Sequence, residues 1–382
     1  MKKISNGTKL TMLLIAMTTM MSNVAIITAL PHLKDYFTDE KNIEFLARLM
    51  ITVPSLAIAF LAPFLGHFVY KIGRQKSALT ALFLFAIAGS GGLYLDTMDQ
   101  LLYSRFFLGI SIAVLMIVST SLVGDYFKGD ARHKFMGIQS AFISLGGVFF
   151  VVGGGILSDI SWRYSFGIYM IGFLLIPMVY MFLNEKVTIQ ENSEDNENLN
   201  SNLFIIYVLA FILMLIFYIL PTQIPFLIIN HFGASGTLAG SIIATAFVAH
   251  AIGAISFRKL KQRFTFSTIY LIGMGIIAFG FIAISLVKEV HFFFLTAPIL
   301  GFGGGILMTN ITAWMLERSH HKKRIHSSGY LTSSLFLGQF FSPILFHPIV
   351  SFFGIKDFFM VTGIFVGTII VVTLLVIKRG VK

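Results

Sequence analysis

Along the whole chain, long runs that are apolar on every helix face alternate with short polar connectors. Leu10 to Leu30 and Leu101 to Val123 are typical of these runs. A barrel strand would instead alternate polar and apolar residues over about ten positions. A helix needs about twenty apolar residues to cross the roughly 30 Å hydrocarbon layer of a bilayer. Spans are predicted at 10–30, 46–66, 77–95, 101–123, 135–157, 164–183, 203–224, 236–256, 267–287, 292–313, 327–347 and 357–377. The expected fold class is an all-α membrane protein with twelve transmembrane helices.

One connector differs from the rest. Between spans six and seven, residues 184–202 carry Glu185, Glu191, Glu194, Asp195 and Glu197 against the single cation Lys186, with hardly an apolar residue after Ile189. Such a segment cannot bury enough surface to fold alone. It divides the chain into an N-terminal half (1–183), an acidic linker (184–202) and a C-terminal half (203–382), and the halves repeat. A shift of 187 lays Gly66, Tyr70, Lys71, Arg74, Gln75 and Lys76 on Gly253, Phe257, Arg258, Lys261, Gln262 and Arg263. A shift of 192 lays Gly109, Met116, Arg132, Gly137 and Gly146 on Gly301, Met308, Arg324, Gly329 and Gly338. Two six-helix repeats are expected, with substrate held between them near the midplane.

Composition agrees with this pattern. Of 382 residues 56% are hydrophobic and 12% charged, against about a quarter charged in soluble domains. The net charge of +11 would suggest nucleic acid in a soluble protein. Here 21 of the 28 Lys and Arg fall on the side of the amino terminus and six opposite, Arg48 at the edge of its span among them, leaving Arg105 further inside a span. By the positive-inside rule both termini are expected in the cytoplasm of a multi-pass cell-membrane protein, with no nucleic-acid partner. Met1, Lys2 and Lys3 precede a run too long for a signal peptide and without an Ala-x-Ala-like site, so the run reads as span one. There is no cysteine, which excludes disulfides and thiolate sites.

Several motifs resemble the major facilitator superfamily. Gly66-His67-Phe68-Val69-Tyr70-Lys71-Ile72-Gly73-Arg74-Gln75-Lys76 is similar to that family's glycine and basic loop, with Tyr70 where an aspartate is usual. The resemblance implies a conformational latch made by Gly66, Lys71, Gly73, Arg74 and Lys76. Glycine permits a tight turn, and cations suit the negative ends of helices. The competing reading is that these cations only set topology. Leu101 to Gly109 resembles the motif with an arginine four residues before a glycine, associated with proton coupling. Its Arg105 either serves function, as intramembrane charge does by default, or snorkels to the surface. The second half has Ala297 there.

Gly146 to Gly155, followed by Trp162-Arg163-Tyr164-Ser165-Phe166, is similar to the glycine-rich motif of the drug:proton antiporter branch, with Phe150-Val151 in place of its Gly-Pro pair. Close helix packing is the stronger reading of those glycines. Ser22 to Pro31 resembles the first span of drug exporters, which often hold an acid near Asn23. Pro31, Pro221 and Pro225 are gating candidates, since proline frees backbone carbonyls.

All 17 acidic residues fall in loops or at predicted span ends. The candidates for a substrate and proton pathway are Arg105, Asp35, His250, Asn23, Gln139, Gln223, Asn310 and Gln339, with helix packing the alternative for the His, Asn and Gln residues. Asp125 stands at the end of span four. The run Ser319 to His326 holds His320, His321 and His326 among cations that repel a metal, so it reads as a topology loop. No metal, cofactor or catalytic array is expected, and an intramembrane enzyme would need acids or histidines clustered at one depth. The function implied is export of small amphipathic compounds by a monomeric, proton-driven secondary transporter. Neutral, zwitterionic or anionic substrates are expected, because no deep carboxylate balances a cation. The alternative is a metabolite or siderophore carrier of the same fold.

Overall fold

The computed structural model describes residues 4–127, 129–183, 201–319 and 324–380. The acidic linker lies outside them except for Ser201 and Asn202, which begin a helix, and so do His320 to Lys323. The chain divides into two compact units, Met1–Asn198 and Leu199–Lys382.

Among the described residues of the first unit six principal helices follow one another: α1 (Asn6–Val24), α2 (Ile43–Ile72), α3 (Arg74–Gly89), α4 (Met98–Tyr126), α5 (Gly129–Ile160) and α6 (Ile171–Phe182). The second holds α7 (Ser201–Phe217), α8 (Gly236–Lys261), α9 (Phe266–Ser285), α10 (Phe293–Arg318), α11 (Arg324–Phe353) and α12 (Ile355–Gly380). Hydroxyl side chains set several starts. Ser5, Thr97, Ser235 and Thr265 accept from the backbone N–H three residues on at α1, α4, α8 and α9, meeting donors that the first helical turn leaves without partners.

The two units use the same pairings. In the first, α2 and α3 pack on α4, α1 on α5, and α3 on α6. In the second, α8 and α9 pack on α10, α7 on α11, and α9 on α12. Glycines mark the closest approaches. A Cβ on Gly109 of α4 would meet the Pro54 carbonyl of α2, and one on Gly301 of α10 would meet the Ala246 carbonyl of α8. Likewise Gly146 of α5 meets Met17 of α1, and Gly338 of α11 meets the Phe211 carbonyl of α7. Gly154 lies against the Ala25 carbonyl, so these glycines of the span-five motif serve packing.

Among the described residues eleven helical stretches are long and apolar enough to cross a membrane by length and composition. The remaining expected span, α1, is helical but more polar. Three of its threonines are satisfied within the helix, Thr11 donating to Gly7, Thr18 to Ile15 and Thr19 to Ala16, and Thr8 donates to the Phe182 carbonyl of α6, while Met12, Ile15, Ala16 and Met21 are buried. A helix enclosed by its neighbours does not need a fully apolar surface.

Three expectations are corrected. Span one, drawn at 10–30, is helix over Asn6–Val24, because Ser5 caps it early; Ala25–Ala29 form turns and Leu30–His32, with Pro31 inside it, one 3-10 turn. The loop after span two is a single residue, since α2 runs to Ile72 and α3 begins at Arg74. Span seven is interrupted at Tyr218, where Pro221 has no N–H to return to the Phe217 carbonyl; the helix resumes at Ile219–Phe226 and ends in a wide turn, Leu227–His231.

Candidate functional site

The basic motif is built on Gly73. With φ +96° it occupies backbone space that favours glycine and lets α2 pass to α3 through one residue. Arg74 therefore begins α3, where it meets the last turn of α4. Its Nε donates to Asp125 Oδ2 at 2.7 Å and its Nη2 to Oδ1 at 3.2 Å, a two-pronged pairing that only a guanidinium makes. Next to it, Gln75 donates to the Val179 and Tyr180 carbonyls near the end of α6. Lys71 and Lys76 are exposed, and a methyl group added at Gly66 would meet nothing within 4 Å. Of the latch candidates, then, Gly73 and Arg74 are engaged within the first half. In the second half Lys261 stands over the Phe266 ring at 4.1 Å, and Gly253 packs against the Phe302 carbonyl.

Arg105 is 0% exposed and does not snorkel. Its Nη2 donates to the Gly89 carbonyl at the end of α3 at 2.7 Å. The guanidinium carbon lies 4.6 Å from the centre of the Phe166 ring and 4.9 Å from that of Tyr169, within cation–π range. Nε and Nη1 have no hydrogen-bond partner among the described residues. These contacts join α4, α3 and the 3-10 segment Tyr164–Met170 that leads into α6.

A second buried guanidinium, not singled out in the sequence as a candidate, stands near the start of α2. Arg48 of α2 is 1% exposed and pairs with Glu44 one turn earlier at 3.3 Å. The four-residue spacing of acid and base on a helix is the signal that marks it. Glu44 also lies 3.8 Å from the Lys34 ammonium. Arg163, noted only as part of a motif, ties three connections of the first half together. It donates to Asp96 at 2.7 Å, to the Tyr36 hydroxyl at 2.8 Å and to the Gly92 and Leu95 carbonyls, and it lies over the Tyr36 and Trp162 rings.

The remaining candidates are dispersed. Asp35 is exposed on the short helix Leu33–Tyr36. The Asn23 side-chain oxygen has no partner among the described residues, and Gln139 donates to Ser119 at 2.7 Å across α5 and α4. In the second half Gln223 is fully buried in the segment Ile219–Phe226, with neither amide atom partnered among the described residues. Asn310 of α10 donates to the Phe266 carbonyl at 3.1 Å, while its oxygen has no partner among those residues. Gln339 of α11 contacts the Met214 sulfur at 3.7 Å, and the His250 ring lies 5.9 Å from that of Phe217. An apolar groove of about 510 Å³ between α3 and α6, lined by Leu79, Thr80, Phe83, Ile176, Pro177 and Tyr180, holds none of these candidates. Among the described residues no Asp or Glu is buried, and no group of three His, Asp or Glu is placed to hold a metal.

Comparison with known proteins agrees with the architecture. The family profile of the Major Facilitator Superfamily matches residues 12–230 and again 206–382. Multidrug resistance protein 1 of Bacillus subtilis (strain 168) is 27% identical over 317 residues, covering 78% of this chain and 78% of that protein. Riboflavin transporter RibZ of Clostridioides difficile (strain 630) is 25% identical over 145 residues, 37% of this chain and 32% of that protein. Among solved structures, a bacterial homolog to the human lysosomal transporter Spinster superimposes with a TM-score of 0.78 at 16% identity, covering 97% of this chain and 96% of that one. The nucleoside transporter NupG gives 0.80 at 11% identity, covering 96% and 99%. At such identity these structures show a common fold and nothing about substrate.

Proposed function

The chain belongs to the Major Facilitator Superfamily and is a multi-pass membrane transporter rather than an enzyme, and from that premise we propose that it exports small amphipathic compounds by alternating access in exchange for protons. The observation that carries the substrate class is the charge balance of the buried polar groups. Arg105 and Arg48 are buried, and no carboxylate among the described residues is. A desolvated cation needs a compensating acid in the membrane interior, so the substrates are neutral, zwitterionic or anionic. Export is supported by the likeness to multidrug resistance proteins of Bacillus subtilis. The partial likeness to a riboflavin transporter favours a second reading, a metabolite carrier of the same fold.

The protein acts as a monomer in the cell membrane with both termini in the cytoplasm. Uptake into inverted vesicles with an imposed pH gradient tests the main reading. Gradient-dependent accumulation of an amphipathic anion above that of a quaternary ammonium dye is expected. Robust transport of the dye that survives Asp35→Asn would overturn the charge argument. Orientation is tested separately in this cysteine-free background: Ser193→Cys reacts only with reagents that reach the cytoplasm and Asp99→Cys reacts from outside, and the reverse pattern would invert the topology.

A further inference from the structure

Around Arg105 the first half is packed so that one hydroxyl links the buried cation to the end of α1. A Cβ at Gly89 would run into the Tyr169 side chain, so glycine there is what allows Tyr169 to lie directly on the end of α3. Seated in this way, the fully buried Tyr169 presents its ring to the guanidinium at 4.9 Å. Its hydroxyl donates to the Met21 carbonyl of α1 at 3.0 Å.

Met21 lies where α1 loosens. The Ala25 N–H reaches the same carbonyl at 3.4 Å, and the Ile27 N–H reaches that of Val24 at 3.5 Å, both longer than the usual 2.9–3.0 Å. Residues 25–29 form turns before the 3-10 segment at Pro31. The other side of this segment is closely held, with Gly154 against the Ala25 carbonyl and Ser165 donating to the Gly154 carbonyl at 2.9 Å.

We propose that Tyr169 is a positioning residue for transport, its hydroxyl passing movement of the Arg105 guanidinium to the weakly bonded end of α1. The cation has two nitrogens without a partner among the described residues, so a substrate acceptor draws it. The aromatic face follows the cation, and the hydroxyl moves with the ring. The Met21 carbonyl then loses one of its two donors, and the turn at Ala25–Ala29 is released. This inference rests on the reading that Arg105 acts in transport.

Tyr169→Phe isolates the step, because it keeps the ring under the cation and removes only the hydroxyl. Measured per folded transporter, the maximal rate falls about five-fold, the equivalent of one lost neutral hydrogen bond, while KM stays within about two-fold. Backbone amides at Ala25–Leu30 exchange faster with solvent. Combined with Arg105→Gln, Tyr169→Phe slows transport no further, since both act along one path. A merely structural tyrosine would lower yield and Tm but leave the rate per folded molecule unchanged. A wild-type rate for Tyr169→Phe, or losses that multiply in the double variant, would overturn the proposal while leaving a role for Arg105 intact. A wild-type rate for Arg105→Gln would instead remove the reading beneath it. Should Tyr169→Phe fail to fold, exchange at Ala25–Leu30 in Arg105→Gln decides: faster exchange supports the link, and unchanged exchange overturns it.

Discussion

The two halves share a scaffold and differ in chemistry. Gly109 with Pro54 in the first half and Gly301 with Ala246 in the second are the same contact 192 residues apart, and Gly146 and Gly338 play matching parts where the fifth helix of each half meets its first. The first half adds charge to that scaffold, with Arg48 on Glu44, Arg74 on Asp125, Arg163 on Asp96 and Arg105 buried on Gly89. The second half, among its described residues, buries carboxamides, Gln223 and Asn310, and hydroxyls but no charged side chain. Its Lys261 rests on an aromatic ring, and Glu317, 192 residues beyond Asp125, is exposed. Backbone-to-backbone approach tolerates no added side chain, so it persists through duplication. A polar group is held only by its partner, and the two change together.

The largest effect should strike both halves alike. Gly109→Val and Gly301→Val each push a side chain into a carbonyl of the neighbouring helix and should cost about 3 kcal/mol or more, read as a matching loss of folded, monodisperse protein. Tolerance in one half only would break the shared scaffold.

Next comes the charge that only the first half holds. Arg105→Ala should lower transport of anions by about ten-fold or more and of neutral compounds less, with Arg105→Lys retaining part of the activity if charge alone is needed. Equal anion transport by wild type and Arg105→Ala would remove Arg105 from the site.

A smaller contrast tests the basic motif. Arg74→Ala breaks a two-pronged pair whose partners are 20% and 12% exposed, and transport should fall by about five-fold. Lys261→Ala, which loses one ring contact, should change it by less than about two-fold. Insertion should be unaffected, because the other basic residues preserve the charge bias. Wild-type transport by Arg74→Ala would reduce the motif to a topology signal.

The smallest difference concerns the two acids. Asp125→Asn should follow Arg74→Ala in direction, whereas Glu317→Gln should leave transport within about 1.5-fold, as expected of an exposed charge. A comparable loss at Glu317 would show that the second half forms an equivalent pair during the cycle.

The helical inventory and its duplication are legible in the order of residues alone. Hydropathy and helix length are local properties, so the spans could be drawn to within about six residues, and the shift of 192 identified glycines that mark matching contacts, Gly109 with Gly301 and Gly146 with Gly338, whereas that of 187 pairs the open Gly66 with the packed Gly253. Some departures have local causes: Ser5 starts α1 early, and Pro221 interrupts α7. Which polar groups meet is settled by packing. Arg74 and Asp125 are 51 residues apart, and Tyr169 reaches Met21 across 148. Such meetings depend on how each helix is rotated and where it crosses its neighbour, and those angles are set by the fit of whole surfaces. The same reason leaves the burial of Arg48 out of reach of the residue order, since it follows from the rotation of α2. The order of residues could name the charges, and only the packed half could say which of them had found a partner.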